Sequence, residues 1–82
     1  MTKKEKFDAD VARLDEVGAT YITYPAQYLI NAEDVRGIIQ SFYSTTGTII
    51  IRKDNDKYSK FKKTYHNEDV ETFILLLNKQ TF

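Results

Sequence analysis

The residue types that most often carry catalysis are sparse in this sequence. The chain has no cysteine, one histidine and three separated glycines, which excludes disulfides, thiol nucleophiles, thiolate metal sites and a glycine-rich phosphate loop. His66 has no second histidine with which to form a metal pair, and a capping or surface role is the commoner one for such a residue than a catalytic or pH-sensing role. We therefore expect no enzyme active site, no catalytic or metal-ligating residue and no cofactor.

The segment Asp54-Asn55-Asp56 begins like a calcium-binding loop. Such a loop continues with further oxygen ligands, a glycine at its sixth position and a glutamate at its twelfth. Here Tyr58 and Tyr65 occupy the fifth and twelfth positions, and no glycine lies between them. The segment is therefore predicted to be a plain turn. The other carboxylates fall mainly on the outer faces of predicted helices, where solvent makes acid–base catalysis unfavourable.

A basic segment interrupts a chain whose formal net charge is zero. Residues 48–67 contain six basic and two acidic side chains, and both flanking regions are acidic. Basic and aromatic residues mixed in this way suit nucleic acid, because cations neutralise phosphates and rings stack on bases. Lysines also protect hairpin edges against sheet-to-sheet association, so both interpretations stay open. The candidate residues for binding a partner or a nucleic acid are Arg52, Lys53, Lys57, Tyr58, Lys60, Lys62 and Lys63.

Aromatic residues are abundant enough to indicate a protein-binding surface. The chain has six tyrosines and five phenylalanines among 82 residues, more than a small core readily buries, and exposed tyrosine is enriched at the centres of interfaces. The candidates for contact with a protein partner are Tyr21, Tyr24, Tyr28, Tyr43 and Tyr58. Self-association through the strand at 19–24 or through the edge of the hairpin, giving a homodimer, is a third alternative.

The elements that position these residues begin with a helix over about 3–17. Thr2 and Glu5 have the spacing of a capping box, and Gly18 is placed for a left-handed C-cap. The apolar residues Phe7, Val11 and Leu14 then follow at helical spacing. Residues 19–24 are mostly β-branched or aromatic and predict a short strand that ends at Pro25.

A second helix is predicted over about 32–44. Asn31 is a suitable N-cap, and Glu33 and Asp34 lie in the first turn, where the helix dipole favours acids. The apolar positions match helical spacing at i, i+3, i+4 and i+7, with Val35, Ile38, Ile39 and Phe42. The prediction tolerates Gly37 inside the helix.

The last two elements are a β-hairpin and a third helix. Residues 48–53 include three consecutive isoleucines, residues 54–56 are turn formers, and residues 58–65 resume an extended pattern. Asn67 and several acids open a helix over about 68–79, whose apolar face contains Val70, Phe73, Ile74 and Leu77. Leu75 and Leu76 widen this face, so we expect this helix to be deeply buried.

These elements predict one small α+β domain over residues 1–82, with three helices packed on a β-hairpin. The strand at 20–24 could extend the hairpin into a three-stranded antiparallel sheet. The order of helix, strand, turn, helix and hairpin is similar to a winged-helix arrangement. That resemblance implies a recognition helix at 32–44 and a wing tip at 54–56. Glu33 and Asp34 would repel DNA phosphates at the reading end, so DNA would be bound by the hairpin.

Composition favours a small cytoplasmic binding protein. The absence of cysteine, of an apolar segment after the basic N-terminus and of any long apolar run argues against secretion, and the same observations predict no membrane contact. Richness in Lys, Asn, Ile, Tyr and Thr is typical of proteins from AT-rich bacterial or phage genomes. We expect a non-enzymatic protein of phage or mobile-element type that binds and inhibits or diverts a larger protein. The alternative is a nucleic-acid-binding regulator that uses the basic hairpin.

Overall fold

The computed structural model describes residues 2–52 and 62–79, which form two α-helices and five strands. In chain order the elements are α1 (Lys3–Glu16), β1 (Tyr21–Tyr24), a 3-10 turn (Pro25–Gln27), β2 (Leu29–Glu33), β3 (Ile39–Tyr43), β4 (Thr48–Arg52), β5 (Lys62–Tyr65) and α2 (Val70–Leu77). Neither helix of this part of the chain has the length and apolar character that a membrane span requires.

The five strands form one antiparallel sheet in which each strand pairs with the next along the chain, in the order β1-β2-β3-β4-β5. One line of paired residues crosses the whole sheet, through Thr23, Ile30, Phe42, Ile49 and Tyr65. Successive side chains of a strand point to opposite faces. Each face of the sheet therefore has its own set of side chains, and only one set meets the helices.

α1 begins at its predicted capping box, whereas α2 begins at Val70, two residues later than predicted, because Asp69 and not Asn67 is its N-cap. The Thr2 hydroxyl accepts a hydrogen bond from the Glu5 amide and the Glu5 carboxylate accepts one from the Thr2 amide, which completes the capping box of α1. Asp69 caps α2 by accepting a hydrogen bond from the Thr72 amide. The two helices are joined by a two-pronged ion pair between the Arg13 guanidinium and the Glu71 carboxylate.

The core lies between the helices and one face of the sheet, which we call the covered face. The sheet contributes Ile30, Ala32, Phe42, Ile49 and Ile51 to it, and the helices contribute Phe7, Leu14, Phe73, Ile74, Leu76 and Leu77. The ring of Phe42 stacks on that of Phe73 with the centroids 5.0 Å apart. Leu75, which the sequence placed on the buried face of its helix, is instead 71% exposed.

The helix predicted over 32–44 is wrong, because this segment forms the hairpin of β2 and β3. Asp34 and Ile38 close its turn with a hydrogen bond from the Asp34 amide to the Ile38 carbonyl. Gly37 has a φ of +82°, a left-handed conformation that no α-helix contains. It completes a three-residue hairpin loop, a class in which a left-handed residue commonly follows a type I turn. The Asp34 carboxylate accepts hydrogen bonds from the Arg36 and Ile38 amides and so stabilises the turn.

The three-helix architecture is therefore replaced by two helices on a five-stranded sheet. The α+β class is confirmed, but the predicted packing on a hairpin or a three-stranded sheet is wrong. The winged-helix resemblance loses its recognition helix, since residues 32–44 contain the end of β2, the turn that follows it and β3. The physical reason is that the helical spacing of the apolar residues is only a local signal, whereas the left-handed turn at Gly37 lets β2 pair with β3.

The turn between β3 and β4 is held against the chain that enters α2. Gly47 has a φ of +71° and its carbonyl accepts a hydrogen bond from the Glu68 amide. A Cβ atom at Gly47 would lie 2.4 Å from the Glu68 carbonyl oxygen. Only glycine fits this contact, so the turn fixes where α2 starts relative to the sheet.

Candidate protein-binding face

Both helices lie on one side of the sheet, and within residues 2–52 and 62–79 no other element covers the opposite face. We call this the open face, and its side chains come from alternate positions of the strands. An antiparallel sheet with one solvated face usually shows polar residues there. The open face instead contains several large apolar and aromatic side chains, namely Ile22, Tyr24, Leu29, Ile39, Tyr43 and Ile50.

Two tyrosines flank a leucine near one end of the open face. Tyr24 pairs with Leu29, and Leu29 pairs with Tyr43 on the next strand. Tyr24 is 44% exposed, Tyr43 is half-buried and Leu29 is buried. Directly opposed residues in neighbouring strands lie close enough for their side chains to touch. The three residues therefore form a patch in which an exposed tyrosine and a half-buried tyrosine flank a buried leucine.

A second line of residues crosses the middle of the open face. Ile22 on β1 is 64% exposed, and Ile50 on β4 is half-buried. Between them the Ser41 hydroxyl donates a hydrogen bond of 2.8 Å to the Asn31 side-chain oxygen. This contact satisfies two polar groups within the sheet itself. The middle of the face thus offers aliphatic contact area on either side of a hydrogen-bonded pair of polar side chains.

The most buried carboxylate belongs to the covered side of the molecule. The Asp34 carboxylate accepts hydrogen bonds from the Gln40 amide nitrogen at 2.9 Å and from the Arg36 guanidinium at 2.8 Å, besides the two backbone amides of its turn. Burial by itself would raise the pKa of Asp34, but these hydrogen bonds outweigh it and lower the pKa below its ordinary value of 3.8. Gln40 also donates to the Leu76 carbonyl. This cluster joins the β2–β3 turn to α2 and has a structural role.

A shallow groove lies beside this turn, between the ends of both helices. Its volume is about 190 Å³ and its lining includes Gly18, Glu33, Val35 and Ile74, whereas small-molecule sites are usually about 300–1,000 Å³. Within residues 2–52 and 62–79, no group of three acidic or histidine side chains is arranged to hold a metal ion. The open face is the more extensive surface feature.

The structure describes only part of the basic segment. Arg52 is the last residue of β4 and is paired with Lys62, the first residue of β5, while Lys63 is paired with Ile51 and exposed. The other predicted residues and the Asp54-Asn55-Asp56 turn lie outside the described residues, namely Lys53, Lys57, Tyr58 and Lys60. The pairing of β4 with β5 agrees with the predicted hairpin.

The predicted tyrosines divide between the two faces of the sheet. Tyr24 and Tyr43 lie on the open face, whereas Tyr21 and Tyr28 pack against the core; Tyr58 lies outside the described residues. Sequence reasoning missed the aliphatic members of the open face, Ile22, Leu29, Ile39 and Ile50. A signal that could have pointed to them is Gly37, because glycine favours a turn between two strands over the interior of a helix.

Comparisons of the chain with protein-family models, curated proteins and solved structures found no match. The function is therefore argued from the geometry of this chain alone.

Proposed function

We propose that this chain is a non-enzymatic binding protein that docks another protein on the open face of its sheet and thereby inhibits or diverts that partner. The observation that carries the proposal is the pair of tyrosines, Tyr24 and Tyr43, on either side of Leu29 on the face of the sheet opposite α1 and α2. Rigid aromatic side chains anchored in a sheet lose little conformational entropy on binding, which makes them effective interface anchors.

The charge distribution agrees with a protein partner on this surface. No charged residue lies between Glu16 and Glu33, the segment that contributes β1 and most of β2. Interface centres are depleted of charged residues and enriched in tyrosine. Binding on the open face should therefore depend on aromatic and aliphatic contact, with weak dependence on salt.

A second candidate function is nucleic-acid binding through the basic hairpin. Lys63 is exposed on β5, next to Lys62 in the same edge strand. Binding through these lysines would release counterions and would weaken steeply as salt is raised. The two candidates therefore differ in the surface used and in the salt dependence of the affinity.

The test begins with capture of a partner on the immobilised chain, followed by titration of the purified partner. We expect Tyr24→Ala and Tyr43→Ala each to weaken binding by at least about tenfold. Truncation of an anchor residue at an interface centre commonly reduces the binding free energy by about 2 kcal/mol or more. The matched control is Leu75→Ala, which removes a side chain 71% exposed on the helical side, and it should change the affinity less than about twofold.

Equal losses in the tyrosine variants and in Leu75→Ala would contradict docking on the open face. A parallel titration with labelled DNA and RNA at two salt concentrations addresses the second candidate. Micromolar binding that weakens steeply with salt and disappears in a Lys60/Lys62/Lys63 triple alanine variant would favour nucleic-acid binding over protein binding as the function.

A further inference from the structure

We propose that strand β1 pairs with β1 of a second copy of this chain, antiparallel and about a two-fold axis that passes beside Ile22. The two sheets would then form one continuous ten-stranded sheet. The inference concerns the edge of the sheet, so it stands apart from the function proposed for the open face.

Half of the backbone groups of β1 point away from the sheet. The Glu33 amide donates to the Thr20 carbonyl, which makes Thr20 and Glu33 a hydrogen-bonded pair of the β1–β2 ladder. Hydrogen-bonded pairs alternate along an antiparallel ladder, so Ile22 and Tyr24 also bond to β2. The amide and carbonyl of Tyr21 and of Thr23 therefore point away from the sheet, and among the described residues no backbone partner meets them.

The second step is the register in which two such edges fit. Placing Tyr21 opposite Thr23 of the second copy satisfies both outward amides and both outward carbonyls of each strand. This register is symmetric, and it sets Ile22 opposite itself in a pair without hydrogen bonds, where the Cα atoms are about 4.5 Å apart. Ile22 is 64% exposed, and contact with its copy would remove apolar area from water. The edge is thus self-complementary in both hydrogen bonding and side-chain contact, as a two-fold interface requires.

The third step is the contrast in charge between the two edges of the sheet. Exposed edge strands usually bear lysine or another charge that prevents pairing with other chains. β5 contains Lys62 and Lys63, whereas β1 and its flanks are uncharged from Val17 to Ala32. Charged residues that would prevent edge-to-edge pairing are therefore present on β5 and missing from β1. This contrast favours β1 as the edge that pairs with a second copy.

The geometry of the pair has a consequence for the open face. A two-fold axis perpendicular to the sheet keeps both helical layers on the same side. The two open faces would then be continuous, with Ile22 of each copy at the centre and Tyr24 on either side. A dimer would present twice the area of the single face.

A register-specific disulfide provides the first test, because the natural chain has no cysteine. Ile22→Cys would face its own copy at a Cα separation that suits a disulfide. The matched control is Tyr24→Cys, also exposed on the open face, whose copy would lie about 13 Å away along the strands. Under mild oxidation at micromolar protein we expect covalent dimer from Ile22→Cys at least about tenfold faster than from Tyr24→Cys.

A backbone variant provides the second test. Thr23→Pro removes an outward amide, so β1 can keep its bonds to β2 while the dimer loses two hydrogen bonds. We expect sedimentation equilibrium of the natural chain to show twice the 9.6 kDa mass and Thr23→Pro to raise the dimer dissociation constant at least about tenfold. Thr64→Pro is the matched control, since the alternating ladder points the Thr64 amide outward on β5, and it should leave dimerisation unchanged.

Three outcomes would overturn the proposal: a natural chain that stays monomeric up to about 200 μM, disulfide formation at equal rates in the two cysteine variants, or loss of the dimer in Thr64→Pro but not in Thr23→Pro. The cysteine test remains decisive where Thr23→Pro fails to fold. All of these measurements use the purified chain alone, so they do not depend on a protein partner for the open face.

Discussion

The two faces of the sheet both contain large apolar side chains, but these have different surroundings. The covered face places Phe42 in full burial against Phe73. The next residue along the same strand, Tyr43, lies on the open face and is half-buried. Apolar residues on the covered face are required for stability. Those on the open face are free to serve binding, and this difference carries the functional proposal.

The largest expected effect separates two neighbours on β3. Phe42→Ala should lower the free energy of unfolding by about 3–5 kcal/mol, because it removes a fully buried aromatic ring and leaves a cavity. Tyr43→Ala should lower it by less than about 1.5 kcal/mol, since its ring already meets solvent. Urea denaturation followed by circular dichroism measures both. Similar losses from the two variants would show that the open face is part of the stabilising core.

The next effect concerns the turn that holds α2 on the covered side. Gly47→Ala should lower the free energy of unfolding by about 2–3 kcal/mol. The added methyl group would clash with the Glu68 backbone, and alanine is also unfavourable in the left-handed conformation. Gly18→Ala is the control, as Gly18 has a similar φ of +72° but no atom within 4 Å of the added Cβ. Gly18→Ala should lower the free energy of unfolding by only about 1 kcal/mol. Thermal unfolding of the two variants compares them, and equal costs would mean that the contact with Glu68 does not anchor the helix.

The smallest effect depends on pH and tests the buried polar cluster. Asp34→Asn should lower the free energy of unfolding by about 1–3 kcal/mol at pH 7, because it weakens hydrogen bonds to a charged acceptor. The pKa of Asp34 is lowered in the folded state, so the stabilisation is present above the unfolded pKa of about 3.9 and is lost as the pH falls through the folded pKa.

The difference between the natural chain and Asp34→Asn should therefore narrow below about pH 4. Chemical denaturation at pH 7, 5, 4 and 3 measures this trend. Glu33→Gln, which removes an exposed carboxylate one residue earlier, should leave the dependence on pH nearly unchanged. A gap between Asp34→Asn and the natural chain that stays constant down to pH 3 would argue against a stabilising charge at Asp34.

Local signals predicted several elements of the fold correctly. The capping box at Thr2 and Glu5, the C-terminal Gly18 and the stripe through Phe7 and Leu14 place α1 within a residue of its observed end. The strand before Pro25 is also observed. The β4–β5 pairing and a C-terminal helix were predicted from turn residues and from acids near its start. These features depend on neighbours in sequence, and so they can be read from the sequence.

The segment 29–43 could not be predicted in the same way. Its apolar residues fit helical spacing through Val35 and Ile39, whereas Ile30 and Phe42 come together on one face only when β2 pairs with β3. β2 pairs with β1 and β3 pairs with β4, and the hydrogen bonds of these pairs stabilise the segment as two strands. This misassignment also hid the candidate site, because an open face exists only when β2 and β3 join the sheet.

The sequence by itself determined the capping box and the end of α1, the strand before Pro25 and an excess of aromatic residues over what a small core needs. Only the tertiary structure decided which tyrosines remain exposed. Tyr21 and Tyr28 pack against the core while Tyr24 and Tyr43 do not, although all four lie in similar local sequence. The physical reason is that both helices pack on one face of the sheet, and that choice depends on contacts between residues far apart in the chain.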